Sequence, residues 1–179
     1  DTKKLLNIVR IAQGMLYLHS HDILHRNLTT KSILEDENLS PKINNCCFSN
    51  DFHSVQSIMK MLKNSPFCPP EVYINNEYTK ASDVYSYGLI VYSIMTNKHP
   101  HFGCSQYQIF INTVEGRLPE LDNSIPEAYR ILIERCLLKN SNERPTFNEI
   151  RNMFAQYQFQ TESINKNEYW QIIKEPDHD

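Results

Sequence analysis

The sequence predicts a mainly α domain wrapped round one buried helix, with a tiny two-stranded hairpin as its strand structure. Three observations carry this. Residues 81–96 are apolar nearly all round, through Val84, Tyr87, Leu89, Ile90, Val91, Ile94 and Met95, and a helix with no polar face belongs inside a protein. Other stretches repeat apolar residues at three- and four-residue intervals, as helices with one buried stripe do. Between 23 and 43 the apolar residues fall instead into short pairs split by polar ones, which predicts loop and two small strands with a turn around 35–38.

Taken in order, Leu5, Ile8, Val9, Ala12, Met15 and Leu16 mark a first amphipathic helix ending near Ser20. After the hairpin, 48–67 has no clean period and is rich in Ser and Asn, so it is expected to be a long, mobile loop. A short helix follows Pro70, and the central helix comes next. Three later helices are expected to open with capping boxes, Ser105 with Gln108, Ser124 with Glu127 and Thr146 with Glu149. The last buries Phe147, Ile150, Met153, Phe154 and Tyr157. Residues 1–158 form the domain. Residues 159–179 are a polar tail with a late apolar patch at Tyr169, Trp170, Ile172 and Ile173, and they have no assigned structure.

Composition narrows the function. A chain of 179 residues suffices for one domain with a real core. A net charge of -3 without a long Lys/Arg run argues against nucleic acid or an anionic membrane as partner. The longest apolar run, 88–95, is too short to span a bilayer. Five cysteines without a C-x-x-C pair point to a reducing, cytoplasmic setting. Four glycines leave none for a Gly-rich nucleotide loop, and a start at Asp1 fits a piece of a longer protein.

Five short motifs stand in sequence. His25-Arg26-Asn27-Leu28 is followed by Ser32, five residues after Asn27. Then come 41–47 (Pro-Lys-Ile-Asn-Asn-Cys-Cys), Pro69-Pro70-Glu71, Asp83-Val84-Tyr85-Ser86-Tyr87-Gly88 and Arg144-Pro145. Their order and spacing resemble the C-terminal lobe of eukaryotic protein kinases of the tyrosine-kinase-like or Ser/Thr type, from about Leu5 to about Tyr157. That family's signatures read H-R-D-L-x-x-x-x-N, D-F-G and A-P-E. The resemblance implies an α+β family fold of which this chain carries the helical lobe. Neither the Gly-rich loop nor the V-A-I-K lysine of the N-lobe precedes the first helix.

The residues at the chemical positions differ from the family's. Asn27 stands where the family has its proton-accepting Asp, and a carboxamide cannot usefully take a proton; general-base help is worth about 10²–10⁴ in rate. Ser32 replaces the metal-binding Asn, and Asn45 the Asp of D-F-G. Mg²⁺ prefers hard anionic oxygen, which neither supplies. Thr29 stands where Ser/Thr kinases often carry a phosphate-touching Lys, and Cys47 replaces the mobile Gly. Leu34 matches the residue under the adenine ring. ATP and Mg follow from the resemblance alone, and no cofactor is expected for this chain.

Structural positions are kept. By resemblance, Asp83 accepts from the His25–Arg26 backbone, and Glu71 pairs with Arg144 through a bidentate tie. Arg26 matches the Arg that receives a loop phosphate, which makes Ser49, Ser54, Ser57 and Ser65 candidate phosphosites; a purely structural Arg26 is the simpler reading. His19, His21 and His25 with Asp22 have metal-like spacing, yet His25 already has a fold role, so no zinc is expected. Cys46 and Cys47 read as small apolar residues rather than a redox pair. The leading functional expectation is a catalytically impaired, pseudokinase-like module that binds a protein partner or a missing N-lobe in intracellular signalling. Residues 106–114 and the long loop are its candidate surfaces. The alternatives are a Ser/Thr kinase with weak or rerouted activity when joined to an N-lobe, and a non-functional truncated remnant.

Overall fold

The structure is a computed structural model that describes residues 2–46 and 52–156, with Phe159, Asn165, Asn167, Tyr169, Trp170 and Ile172 beyond them. For 52–55 it describes the backbone only. The elements run α1 (Thr2–Ser20), β1 (Ile33–Glu35), β2 (Pro41–Ile43), α2 (Phe52–Lys63), α3 (Pro70–Asn75), α4 (Lys80–Thr96), α5 (Gln106–Glu115), α6 (Glu127–Cys136) and α7 (Phe147–Ala155). Short 3-10 turns lie at Thr30–Ser32 and Ser141–Glu143. No helix of the described residues is long and apolar enough to cross a membrane.

Helix α4 is the axis, as its all-round apolar sequence predicts. Val84, Tyr87, Leu89, Ile90 and Val91 are all buried, between α1 on one side and α6 on another. Each such side chain contributes about 1.5–3 kcal/mol by leaving water. Tyr87 is buried with its hydroxyl donating to the Ile8 carbonyl at 3.0 Å, so no polar atom of that ring is stranded. Gly88 makes the α4–α6 approach possible: a Cβ there would lie 2.6 Å from the Cys136 Cβ. Helix α7 packs on α1, and β2 leans on α1 where Gly14 leaves room for Ile43. The hairpin is antiparallel, with Leu34 opposite Lys42.

Two expectations are corrected. The segment 48–67 is not all loop, because α2 occupies Phe52–Lys63. Its Ile58, Met59 and Leu62 recur one and four residues apart and pack with Cys68, Val72, Tyr73 and Tyr78 in a small satellite core, so tertiary burial overrides the polar look of the sequence. Ser124 does not cap α6. Pro126 takes the cap position, and Ser124 instead donates from its backbone N–H (2.8 Å) and its hydroxyl to the Asp122 carboxylate. The boxes at Ser105/Gln108 and Thr146/Glu149 are present. The unassigned tail reaches the core: Phe159, Tyr169 and Ile172 are buried in the main cluster. Tyr157 and Ile173 lie outside the described residues.

Candidate functional site

The site is built on the turn that follows α1. Arg26 has φ 63°, a left-handed conformation that is unusual for Arg and needs support from its surroundings. The support is Asp83, fully buried one turn into α4. Its carboxylate accepts from the His25 N–H at 2.9 Å and the Arg26 N–H at 3.1 Å. It also accepts from His19 Nε2 at 2.9 Å and the Tyr78 hydroxyl at 2.6 Å. Four donors offset the hydration that a buried carboxylate loses. Burial first, and then the Asp83 charge, hold the Tyr78 phenol well above its ordinary value, so it remains a donor.

His25 carries this support toward the chemical positions. Its Nδ1 lies 3.3 Å from the Asn27 N–H and its Nε2 3.0 Å from the Asn44 carbonyl. Nδ1 therefore accepts and Nε2 donates, which is the neutral Nε2–H tautomer. Burial lowers the His25 pKa below its ordinary 6.5, against the opposing pull of Asp83 and of the Asn44 carbonyl. The same ring thus fixes the backbone at Asn27 and at the residue before Asn45. The Asn44 N–H donates to the Ser32 carbonyl at 2.9 Å, which draws the third position in. Asn45 has φ 62°, a conformation that Asn tolerates, and its N–H donates to the Asn44 side chain at 2.7 Å.

Ser32 has other work. Its hydroxyl donates to the Thr29 carbonyl at 2.8 Å and accepts from the Thr29 N–H at 2.9 Å, closing a capping box over the 3-10 turn. It is 2% exposed. A hydroxyl whose proton and one lone pair are committed, under that much cover, is a poor metal ligand. Asn27 and Asn45 add dipoles and no negative charge. The residues at the family's Mg²⁺ positions therefore do not fit the ion. Among the described residues no group of three or more His, Cys, Asp or Glu is placed to hold a metal. The spaced histidines are spent separately: His19 on Asp83, His25 on Asn44, and His21 beside the Tyr17 carbonyl, while Asp22 pairs with Lys80 at 2.6 Å. Leu34 lies on β1 at 49% exposure.

A second tie closes the other end of the α2 segment. Arg144 NH1 and NH2 donate to Glu71 Oε1 and Oε2 at 2.8 and 2.9 Å. Its remaining N–H groups reach the carbonyls of Ala81 (2.9 Å), Lys139 (3.3 Å) and Leu138 (2.7 Å), so all five donors are used. Ser82 donates to Glu71 at 2.7 Å, and the guanidinium lies 4.9 Å from the centre of the Tyr85 ring.

Of the candidate phosphosites, Ser57 is exposed on α2. The Ser65 hydroxyl accepts from the Phe67 N–H at 3.2 Å. Ser49, the Ser54 side chain and Cys47 lie outside the described residues, and Cys46 is half-buried. Sequence reasoning missed the role of His19 as a donor to Asp83, Tyr78 altogether, and the Thr29–Ser32 box. His19 lies 64 residues from Asp83, and only the packing of α1 on α4 joins them, while Tyr78 reaches Asp83 from five residues away by folding back over the start of α4. A Thr-x-x-Ser box lacks the Glu or Gln by which such boxes are read.

Comparison with known proteins follows the same frame. The family model described as protein tyrosine and serine/threonine kinase matches residues 1–154. A mimivirus protein (Acanthamoeba polyphaga mimivirus) named a serine/threonine-protein kinase/receptor is 30% identical over 157 residues, 87% of this chain and 9% of that protein. A Dictyostelium discoideum protein named a serine/threonine-protein kinase is 30% identical over 146 residues, 81% of this chain and 16% of its own length. A LIM domain-containing serine/threonine-protein kinase of the same organism is 28% identical over 140 residues, 78% of this chain and 22% of that protein. The chain thus spans less than a quarter of the length of each of these relatives.

Proposed function

Since the chain belongs to the protein tyrosine and serine/threonine kinase family, we propose that it is a pseudokinase-like member, impaired in phosphoryl transfer and acting as a binding or scaffold module in cytoplasmic signalling. Family members use ATP and Mg; this chain is read as doing without the transfer step. One observation carries the reading. The parts that hold the lobe in shape, the Asp83 cage and the Glu71–Arg144 tie, are complete, while Asn27, Ser32 and Asn45 offer neither a base nor an anionic metal ligand. Net charge of -3 supports a protein partner over a nucleic acid or an anionic membrane. The surface of α5 suits such a partner: Tyr107 on it, Phe102 just before it and Ile74 on α3 are exposed, and Gln106 ties α5 to the end of α2 through the Lys63 carbonyl at 3.0 Å.

The test is radiolabelled phosphate incorporation into a generic basic protein, run on the chain alone and on the chain fused to an N-lobe from an active relative. Neither should incorporate measurably. Asn27→Asp with Asn45→Asp should not restore transfer in the fusion, because Ser32 stays locked in its cap and positioning with electrostatics carries most of the rate. Mg-ATP should barely move the melting temperature, since a ligand stabilises only through its affinity for the folded state. Robust incorporation by the unmodified fusion would favour the second reading, a Ser/Thr kinase with rerouted chemistry. That reading is supported by the names of the relatives and by the intact frame.

A further inference from the structure

A cavity of about 300 Å³ lies where the last turn of α1, the first turn of α4 and the start of α7 come together. Leu16, Ala81, Val84, Pro145 and Phe147 give it a mostly apolar wall. Its size falls at the lower end of the range for small-molecule pockets. The wall also holds one buried polar ring, His19, which is 8% exposed. That ring stands edge-on to Phe147, with centres 5.0 Å apart. Its Nε2 donates to the Asp83 carboxylate at 2.9 Å. Its Nδ1 has no hydrogen-bond partner among the described residues. A neutral imidazole that donates from Nε2 presents Nδ1 as an acceptor. The cavity thus combines an apolar wall with one unspent acceptor, and the bond to Asp83 fixes how that acceptor is turned. The fold itself leaves Nδ1 without use, because its other nitrogen alone serves the turn at His25 and Arg26.

We propose that this cavity is a binding site for a small aromatic molecule with one hydroxyl donor, of the phenol class. The ring lies against Phe147 and Val84, and the O–H donates to His19 Nδ1. Apolar burial supplies the affinity and the single acceptor supplies the orientation. A ligand so placed touches the Asp83 cage from behind, at a distance from Asn27 and Asn45, and it binds whether or not the chain transfers phosphate.

Phenol and toluene, nearly equal in shape, test this when titrated against the full chain labelled for NMR at its methyl groups and histidine nitrogens. Phenol should shift the methyl signals of Leu16, Ala81 and Val84 saturably and move the His19 Nδ1 resonance. Toluene should bind about tenfold more weakly, for want of one hydrogen bond. A merely apolar hollow would prefer toluene, the less polar of the two. Ala81→Leu fills the space and keeps the backbone carbonyl that accepts from Arg144, so it should abolish the phenol shifts. Three results would overturn the site: no saturable shift with phenol at those methyls, a His19 Nδ1 signal that stays in place, or toluene bound as tightly as phenol. Phenol binding unchanged in a folded Ala81→Leu variant would do the same. Should that variant fail to fold, phenol against toluene on the unaltered chain still decides.

Discussion

Arg144 and His25 show how much rests on single side chains. Arg144→Ala strands the Glu71 carboxylate in a buried place, and such losses cost about 3–5 kcal/mol. The double change Glu71→Ala with Arg144→Ala should cost clearly less than the two single losses added, because neither charge is then left alone. Urea denaturation of the four proteins measures this; simple additivity would mean the pair does not act as a unit. His25 gives a pH signature. Burial lowers its pKa in the fold below the ordinary 6.5, so between those two values the unfolded chain binds more protons. Its contribution to stability is whole above about pH 6.5 and is lost as pH falls below that value toward the folded pKa. His101, also lowered by burial, pulls in the same direction, so the comparison must be with a His25→Gln variant. Between about pH 7 and 5 the variant should lose less stability than the wild type; a parallel fall in both would remove His25 from the account. The residues of this site that were legible in the sequence are those that sit inside motifs. The structural role of His19 was not, because nothing local marks a residue whose partner arrives by helix packing, and Tyr78 lies outside every motif although it is only five residues from Asp83.

Among the elements, α4 was the most legible and α2 the least. Helix α4 is buried on every side, so its composition alone declares its place. Helix α2 is flanked by Ser and Asn and apolar on one narrow stripe, and it gains its burial from α3 and from the Lys63 end. There Tyr73 donates to the Lys63 carbonyl at 2.9 Å and Lys63 donates to Asn76 at 2.7 Å. Ser124 misled for a related reason: its pattern fits a cap, but Pro126 sets the helix start two residues later. The α4–α6 contact yields a sharp expectation. Gly88→Ala would ordinarily help a helix, yet here the new methyl meets the Cys136 Cβ at 2.6 Å and Leu137 at 3.1 Å. Overpacking of this kind costs about 1–3 kcal/mol, which outweighs the gain of up to about 1 kcal/mol in helix propensity. A lowered melting temperature is expected, and a raised one would show that α6 can move aside.

At the scale of the molecule, the chain forms one main core around α4, with the satellite under α2 as a weaker annex. Exchange of backbone amides should follow that division: slowest at 84–91, faster in α2 and fastest at the rim of the hairpin, where Leu39 is exposed. Native-state exchange at low denaturant reads this order directly, and α2 protected as strongly as α4 would make the annex part of the main unit. The helical class and the single hairpin follow from periodicity in the sequence. The burial of Phe159, Tyr169 and Ile172 does not, because these residues are spaced by burial against three separate helices rather than by a period of their own.

The donors to Asp83 come from α1, the turn and the approach to α4, and the acceptors around Arg144 come from α3, α4 and the residues just after α6. Asn27, Ser32 and Asn45 are not among them. Scaffold and reactivity are therefore separate loads at Asn27, while Ser32, locked in its cap, has been taken over by the scaffold. Changing the Asn27 side chain leaves both the Asp83 cage and the Arg144 tie with all their donors. A saturation scan scored by cellular abundance should show that asymmetry, with Asn27 open to exchange, Asn45 restricted by its φ of 62°, and Glu71, Asp83 and Arg144 nearly closed.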